Sequence, residues 1–207
     1  MSAPSIHTII FDLGGVLIDW NPRHLYRKIF EKEEEMEHFL HHICTQDWNE
    51  QQDAGRSTRE AADILIPQFP DYQAQIEAFY GRWEEMLAGP IQGTVDILDA
   101  LCKDGRYEML ALTNWSAETF PIAQQRYAFL RWFEDILVSG KVKLKKPDPR
   151  IYQMLIDRHQ LQPEEAVFID DSARNIKAAQ DLGIHGIHFT SPAQLRSALA
   201  ELGIHLP

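Results

Sequence analysis

Hydrophobic positions along the chain fall into two rhythms. Five short apolar runs are continuous rather than alternating: Thr8 to Phe11, Met109 to Leu112, Asp135 to Val138, Ala166 to Ile169 and Gly186 to Phe189. A run apolar on both faces is what a strand inside a parallel sheet requires. Between most of these runs, apolar residues return every three or four positions, the spacing of an amphipathic helix. Strand alternating with helix predicts an α/β fold, a Rossmann-like doubly wound parallel sheet.

Several predicted helices start on recognisable chemistry. Asp148 stands before Pro149, a capping carboxylate ahead of proline at the first helical position. Ile151, Tyr152, Leu155 and Ile156 then form one apolar stripe. Ser191-Pro192-Ala193-Gln194 repeats that logic with a capping-box pattern. Ser172 is placed to cap a helix running from about Ala173 to Gly183. The first gap is the anomaly. A parallel crossover needs only about a dozen residues, yet nearly all of Leu17 to Met109 separates the first two strands. Ser57-x-x-Glu60 precedes one helical pattern there. A second runs from Tyr72 to Leu87, with Ile76, Phe79, Tyr80 and Trp83 on one face. The reading is an α-helical cap over residues 18–88, inserted into an α/β core of residues 1–17 and 89–207. Such an insertion would stand above the carboxyl edge of the sheet, where α/β folds bind ligands.

Charge narrows the function classes. Lys plus Arg number 20 against 31 for Asp plus Glu, a net charge of −11. That field repels nucleic acid and anionic lipid, so neither nucleic acid nor a membrane is expected as partner. The longest apolar runs are too short to span a bilayer. Ile6 to Phe11 is short and runs straight into Asp12, unlike a signal peptide. Cys44 and Cys102 have neither metal-ligand spacing nor the density of a disulfide scaffold, and a reducing cytoplasm is the expected location. An anionic substrate would need a local positive site, made by a metal ion or a lysine.

Four stretches supply candidate chemistry. Ile9-Ile10-Phe11-Asp12-Leu13-Gly14-Gly15 ends a buried strand on a carboxylate followed by two glycines, which let the backbone turn close to a ligand. It lacks the Gly-Lys-Ser/Thr ending of a phosphate-binding P-loop. Leu112-Thr113-Asn114 ends a second strand on a hydroxyl and an amide, groups that hold phosphate oxygens or cap helices. Lys145-Lys146-Pro147-Asp148 sets a lysine just before a helix. Ile169-Asp170-Asp171-Ser172 ends a third strand on adjacent carboxylates, whose repulsion suggests a bound cation. Taken singly, each also fits a cap, a turn or a solvated side chain.

The ordered set resembles the four motifs of the haloacid-dehalogenase-like hydrolases, over almost the entire chain. The Phe11-to-Leu17 segment and the Asp170-Asp171 pair resemble the phosphatase branch with a small α-helical cap. That resemblance implies a Mg²⁺-dependent phosphatase in which Asp12 attacks phosphorus, forming an aspartyl-phosphate that water then hydrolyses. It implies that Mg²⁺ is held by Asp12, the Gly14 carbonyl and Asp171, with Asp170 a direct or supporting contributor. It implies that Thr113 and Asn114 bind phosphate oxygens, and that Lys146 neutralises charge between Asp12 and the phosphoryl group. The implied partner is a small phosphorylated metabolite, a sugar phosphate by preference; oligomeric state is unreadable.

One position departs from the pattern. Most phosphatases of the family carry a second Asp two residues after the nucleophile, as general acid and base, and here that position is Gly14. Without it, substrates with good leaving groups are expected, and Asp19 is the nearest substitute acid. Three rivals are weighed: a 2-haloacid dehalogenase, with Trp115 and Arg23 cradling a halide; a non-catalytic phosphoryl-binding regulator; and a sugar-phosphate mutase, which the acid–base residue missing at Gly14 disfavours. Trp20, Asn21, Arg23, Trp48, Tyr80, Arg82 and Trp83 are candidate cap lining, with Trp48 and Trp83 expected in the core.

Overall fold

The structure, a computed structural model, describes residues 5–206. The chain opens with β1 (Thr8–Phe11), then a three-residue strand β2 (Ile18–Trp20), then helices α1 (Arg23–Tyr26), α2 (Glu33–His42), α3 (Gln46–Asp53), α4 (Thr58–Leu65) and α5 (Gln73–Gly81). A 3₁₀ turn at Trp83–Met86 leads into β3 (Leu87–Pro90). Alternation then takes over: α6 (Gln92–Asp104), β4 (Glu108–Thr113), α7 (Phe120–Arg126), β5 (Asp135–Val138), α8 (Ser139–Val142), α9 (Pro149–His159), β6 (Ala166–Asp170), α10 (Ala173–Gln180), β7 (His185–His188) and α11 (Pro192–Glu201).

The five strands expected from the apolar runs form one parallel sheet in the order β5-β4-β1-β6-β7. β4 is longer than its apolar run, from Glu108 to Thr113. From β1 the chain builds outward to β4 and β5, then returns to the other side for β6 and β7. The strand order therefore switches between β1 and β6, and the crevice at such a switch is where open α/β sheets bind ligands.

Side-chain alternation splits the sheet between two cores. Ile9, Phe11, Ala111 and Ile169 face one apolar cluster. Ile10, Leu110, Leu112 and Phe168 face another, against Ile151, Tyr152 and Leu155 of α9 and Ile176 of α10. The first cluster continues without a break into the helical excursion, through Leu25, Tyr26, Phe39, Trp48, Phe79 and Trp83. Trp83 meets Trp115 edge to face at 6.4 Å between ring centres, joining the excursion to the loop after β4.

Local signals fare unevenly. Ser57, Asp148 and Ser191 each accept a backbone N–H of the first turn they precede. Ser172 stands at the start of α10, but its side chain makes no capping bond. The apolar pattern from Tyr72 to Leu87 is not one helix. α5 ends at Gly81, Arg82 leaves helical geometry (φ −126°, ψ 28°), and Leu87 enters β3. β3 pairs antiparallel with β2, with Asp19 opposite Gly89. This ribbon, absent from the sequence reading, carries the chain out of the core and back. Its short strands give too little alternation to register as a pattern.

Candidate active site

The strand ends at the switch point bring the four motifs together. Asp12 follows β1 directly, its N–H donating to the Ile169 carbonyl of β6 at 2.8 Å. Its carboxylate Oδ1 accepts the N–H of Leu13 at 2.7 Å, and Oδ2 lies 2.9 Å from the Lys146 ammonium. Gly15 has φ +74°, and a Cβ there would run into the Asp171 carboxylate, with Cγ at 2.9 Å. Only glycine lets the loops after β1 and β6 come that close.

Lys146 has no solvent exposure. Its three ammonium hydrogens find three oxygens: Asp12 Oδ2, Asp170 Oδ2 at 2.6 Å and the Leu112 carbonyl at 2.9 Å. Burial works against its charge, but Asp12 and Asp170 outweigh that and hold its pKa above the ordinary lysine value. Asn114 fixes the lysine from behind. Its Oδ1 accepts the Lys146 N–H at 2.8 Å, and its Nδ2 donates to the Lys146 carbonyl at 3.0 Å. One Nδ2 hydrogen remains for a ligand in the cavity that Asn114 lines. Thr113 is buried, and its hydroxyl has no hydrogen-bond partner.

Asp170 is fully buried and tied down on both oxygens. Oδ1 accepts the Ser172 N–H at 2.7 Å, and Asn175 Nδ2 donates to each oxygen at 3.1 Å. Asp171 opens toward solvent. Asp12, Asp170 and Asp171 each offer an oxygen within 4.8 Å of the others. Burial first, then the neighbouring carboxylates, pushes the Asp12 and Asp171 pKa values up. Crowded carboxylates that resist ionising together, offering oxygen alone, suit a hard divalent cation. The donor set thus fits Mg²⁺ chemically, with Gly14 at the cavity wall beside it.

A cavity of about 310 Å³ lies over these strand ends. Its floor is Asp12, Gly14, Gly15, Asn114, Lys146, Asp171 and Ser172, and its roof comes from the helical excursion. Trp20 and Trp83 line it with their indole N–H groups buried and unpartnered. Of the other proposed lining residues, Asn21 caps the backbone of Arg23, Tyr80 braces Asn49, Trp48 bonds the Ala61 carbonyl, and Arg82 pairs with Glu85 at the surface. Arg23 forks onto Glu37 at 2.5 and 2.6 Å, outside this cavity. Asp19 pairs with His24 at 3.0 Å and does not line the cavity, so it is not placed to serve as the acid missing at Gly14.

The sequence reading missed α3. Gln46, Asn49, Glu50 and Asp53 recur at helical spacing and all face the cavity. Glu50 is buried and joins the excursion to the core, accepting from Lys145 and from Arg174 of α10, the latter at 2.5 Å. Burial disfavours its anion, but the two cations win and hold its pKa below the usual range. A polar stripe at that period was the available signal; it reads equally as a solvated helix face.

Comparison with known proteins agrees with the geometry. The profile of the haloacid dehalogenase-like hydrolases matches residues 9–189. The chain is 28% identical over 192 residues to the phosphorylated carbohydrates phosphatase of Thermotoga maritima, covering 88% of this chain and 84% of that protein. A haloacid dehalogenase-family enzyme of Bacteroides thetaiotaomicron, solved with magnesium and inorganic phosphate, superposes with a TM-score of 0.66 at 27% identity. The match covers 90% of this chain and 95% of that one. A dehalogenase structure at 19% identity and TM-score 0.68, covering 95% and 98%, shares the fold. The chain spans less than half the length of the first curated relatives it matches, from 6% to 46%.

Proposed function

Since the chain belongs to the haloacid dehalogenase-like hydrolase family, we propose that it is a Mg²⁺-dependent phosphatase of a small phosphorylated metabolite, a sugar phosphate by preference. The observation that carries this reading is the buried Asp12–Lys146–Asp170 chain, with Asp171 beside it, beneath the cavity. Residues 18–88 act as the cap over a core of 1–17 and 89–207. The magnesium-and-phosphate complex of the related enzyme and the phosphatase activity named for the Thermotoga relative support it. Among the described residues no helix is long and apolar enough to cross a membrane, and two free cysteines suit work in the cytoplasm.

The free oxygen lone pairs of Asp12 attack phosphorus in line, and the resulting aspartyl-phosphate is cleaved by water. Lys146 fixes the Asp12 carboxylate and offsets charge gathering on the phosphoryl group. Asn114, through its remaining N–H, holds a phosphoryl oxygen, and Thr113, expected to do the same, has its hydroxyl buried and unpartnered outside the residues that line the cavity. Asp12, the Gly14 carbonyl and Asp171 would hold Mg²⁺, with Asp170 supporting them through Lys146. The ion supplies charge neutralisation at the phosphoryl oxygens.

A screen of sugar phosphates, nucleotides and acyl phosphates, with and without Mg²⁺, tests the reading. Metal-dependent phosphate release, abolished in Asp12→Asn, is expected. Activity that survives in Asp12→Asn overturns the assignment. Chloride released from 2-chloropropionate in EDTA would favour a dehalogenase. Against that rival, Arg23 is bound to Glu37 rather than free to cradle a halide.

A further inference from the structure

An alkoxide leaving phosphorus needs a proton, and Gly14 has none to give. In an in-line displacement the leaving oxygen stands opposite the attacking one. With Asp12 entering from the sheet edge, the leaving oxygen faces the roof. The roof offers two carboxyls, Glu50 and Asp53, one turn apart on α3. Glu50 is gripped by Lys145 and Arg174 and remains an anion. Asp53 is buried, lines the cavity and has no ion-pair partner among the described residues. Its one side-chain neighbour at hydrogen-bonding range is Asn49 Nδ2, at 3.5 Å.

We propose that Asp53, reaching the cavity from the helical cap, is the general acid and base of this reaction. The inference rests on the phosphatase reading above. In the first step an Asp12 oxygen bonds to phosphorus, the bond from phosphorus to the ester oxygen breaks, and the Asp53 proton passes to that oxygen, releasing the alcohol. In the second step the Asp53 carboxylate takes a proton from water as the water oxygen bonds to phosphorus. The bond from phosphorus to Asp12 breaks, freeing phosphate and restoring both carboxyls.

The electrostatics suit the role. Burial, with Glu50 adding to it, pushes the Asp53 pKa up to about 7, while Lys145, Lys146 and the Ser116 backbone oppose the rise. Arg174 lines the same cavity while paired with Glu50, and Asp12 and Asp171 line it too. A carboxyl that titrates near the working pH serves both steps. The bias toward good leaving groups expected from Gly14 then disappears, and alkyl esters such as sugar 6-phosphates become substrates.

Asp53→Asn, close to isosteric, tests the role with two esters in Mg²⁺. Its kcat/KM for glucose 6-phosphate should fall by about 10²–10⁴-fold, and the basic limb of that pH profile should vanish. For p-nitrophenyl phosphate, whose leaving group needs no proton, kcat/KM should stay near wild type. The variant should then release one nitrophenolate per site in a burst, and the phosphoenzyme should be visible by mass spectrometry. Asp53→Ser serves as second variant if Asn fails to fold, with melting temperature as the check. Equal losses for both esters, or no loss for either, overturn the Asp53 assignment while leaving the phosphatase reading intact. A wild-type protein that hydrolyses neither ester overturns the phosphatase reading and this assignment with it.

Discussion

Lys146 shows how far one residue organises the site. An ammonium with no exposure survives only because two carboxylates and a carbonyl surround it. Removing it leaves Asp12 and Asp170 buried and facing each other uncompensated. Lys146→Met should therefore lower unfolding free energy by about 3–5 kcal/mol in urea titrations, besides abolishing turnover. Asp53 has the opposite signature. Its pKa rises from an ordinary 3.8 to about 7, so the folded state keeps a proton that the unfolded chain has lost. Its contribution to stability is therefore fullest below about pH 4 and declines as pH rises toward 7. Asp53→Asn has no such proton to lose. Its melting temperature should gain on wild type between pH 4.5 and 7.5 and then level off. A difference that stays flat with pH would show Asp53 to be solvated.

At the scale of elements, α3 matters most. It carries Glu50 and Asp53, and Glu50 ties it to the core through Lys145 and Arg174. Hydrogen bonds to a charged group are worth about 1.5–3 kcal/mol each, so this contact can hold the roof down over a bound substrate. Glu50→Gln keeps the shape and loses the charge. Faster amide exchange confined to α3, with KM raised several-fold and kcat little changed, is the expected result. Exchange unchanged in α3 would mean that the apolar cluster shared by Phe79, Trp83 and Phe11 holds the excursion by itself. The element with the weakest sequence signature thus carries the most chemistry on the roof. Its polar stripe faces inward, where composition alone would place it in water.

The whole molecule carries a net charge of −11, and the cavity sets Lys146 and Arg174 among four carboxyls, Asp12, Glu50, Asp53 and Asp171. Approach of a dianionic substrate should be retarded by that field and eased by salt. Raising KCl from 10 to 150 mM shortens the Debye length from about 30 to about 8 Å. At constant Mg²⁺, kcat/KM should rise over that range, the reverse of what a basic protein would show. A fall would indicate that Lys146, with any Mg²⁺ taken up from the assay, dominates approach even at a distance.

The sequence by itself determined the sheet, its flanking helices and the floor of the site. Strands buried on both faces announce themselves as continuous apolar runs. Asp12, Thr113, Asn114, Lys146, Asp170 and Asp171 sit at strand ends or beside a proline-started helix, where local pattern fixes position. Tertiary structure alone decided the rest. It gave Asn114 the Lys146 backbone to hold and placed Asp19 at the surface with His24. It paired β2 with β3, and it brought Asp53 to the cavity that Asp12 lines, from more than forty positions away. The reason is physical. A strand or a cap is made by neighbours in the chain, whereas burial of a polar side chain depends on which distant element closes over it.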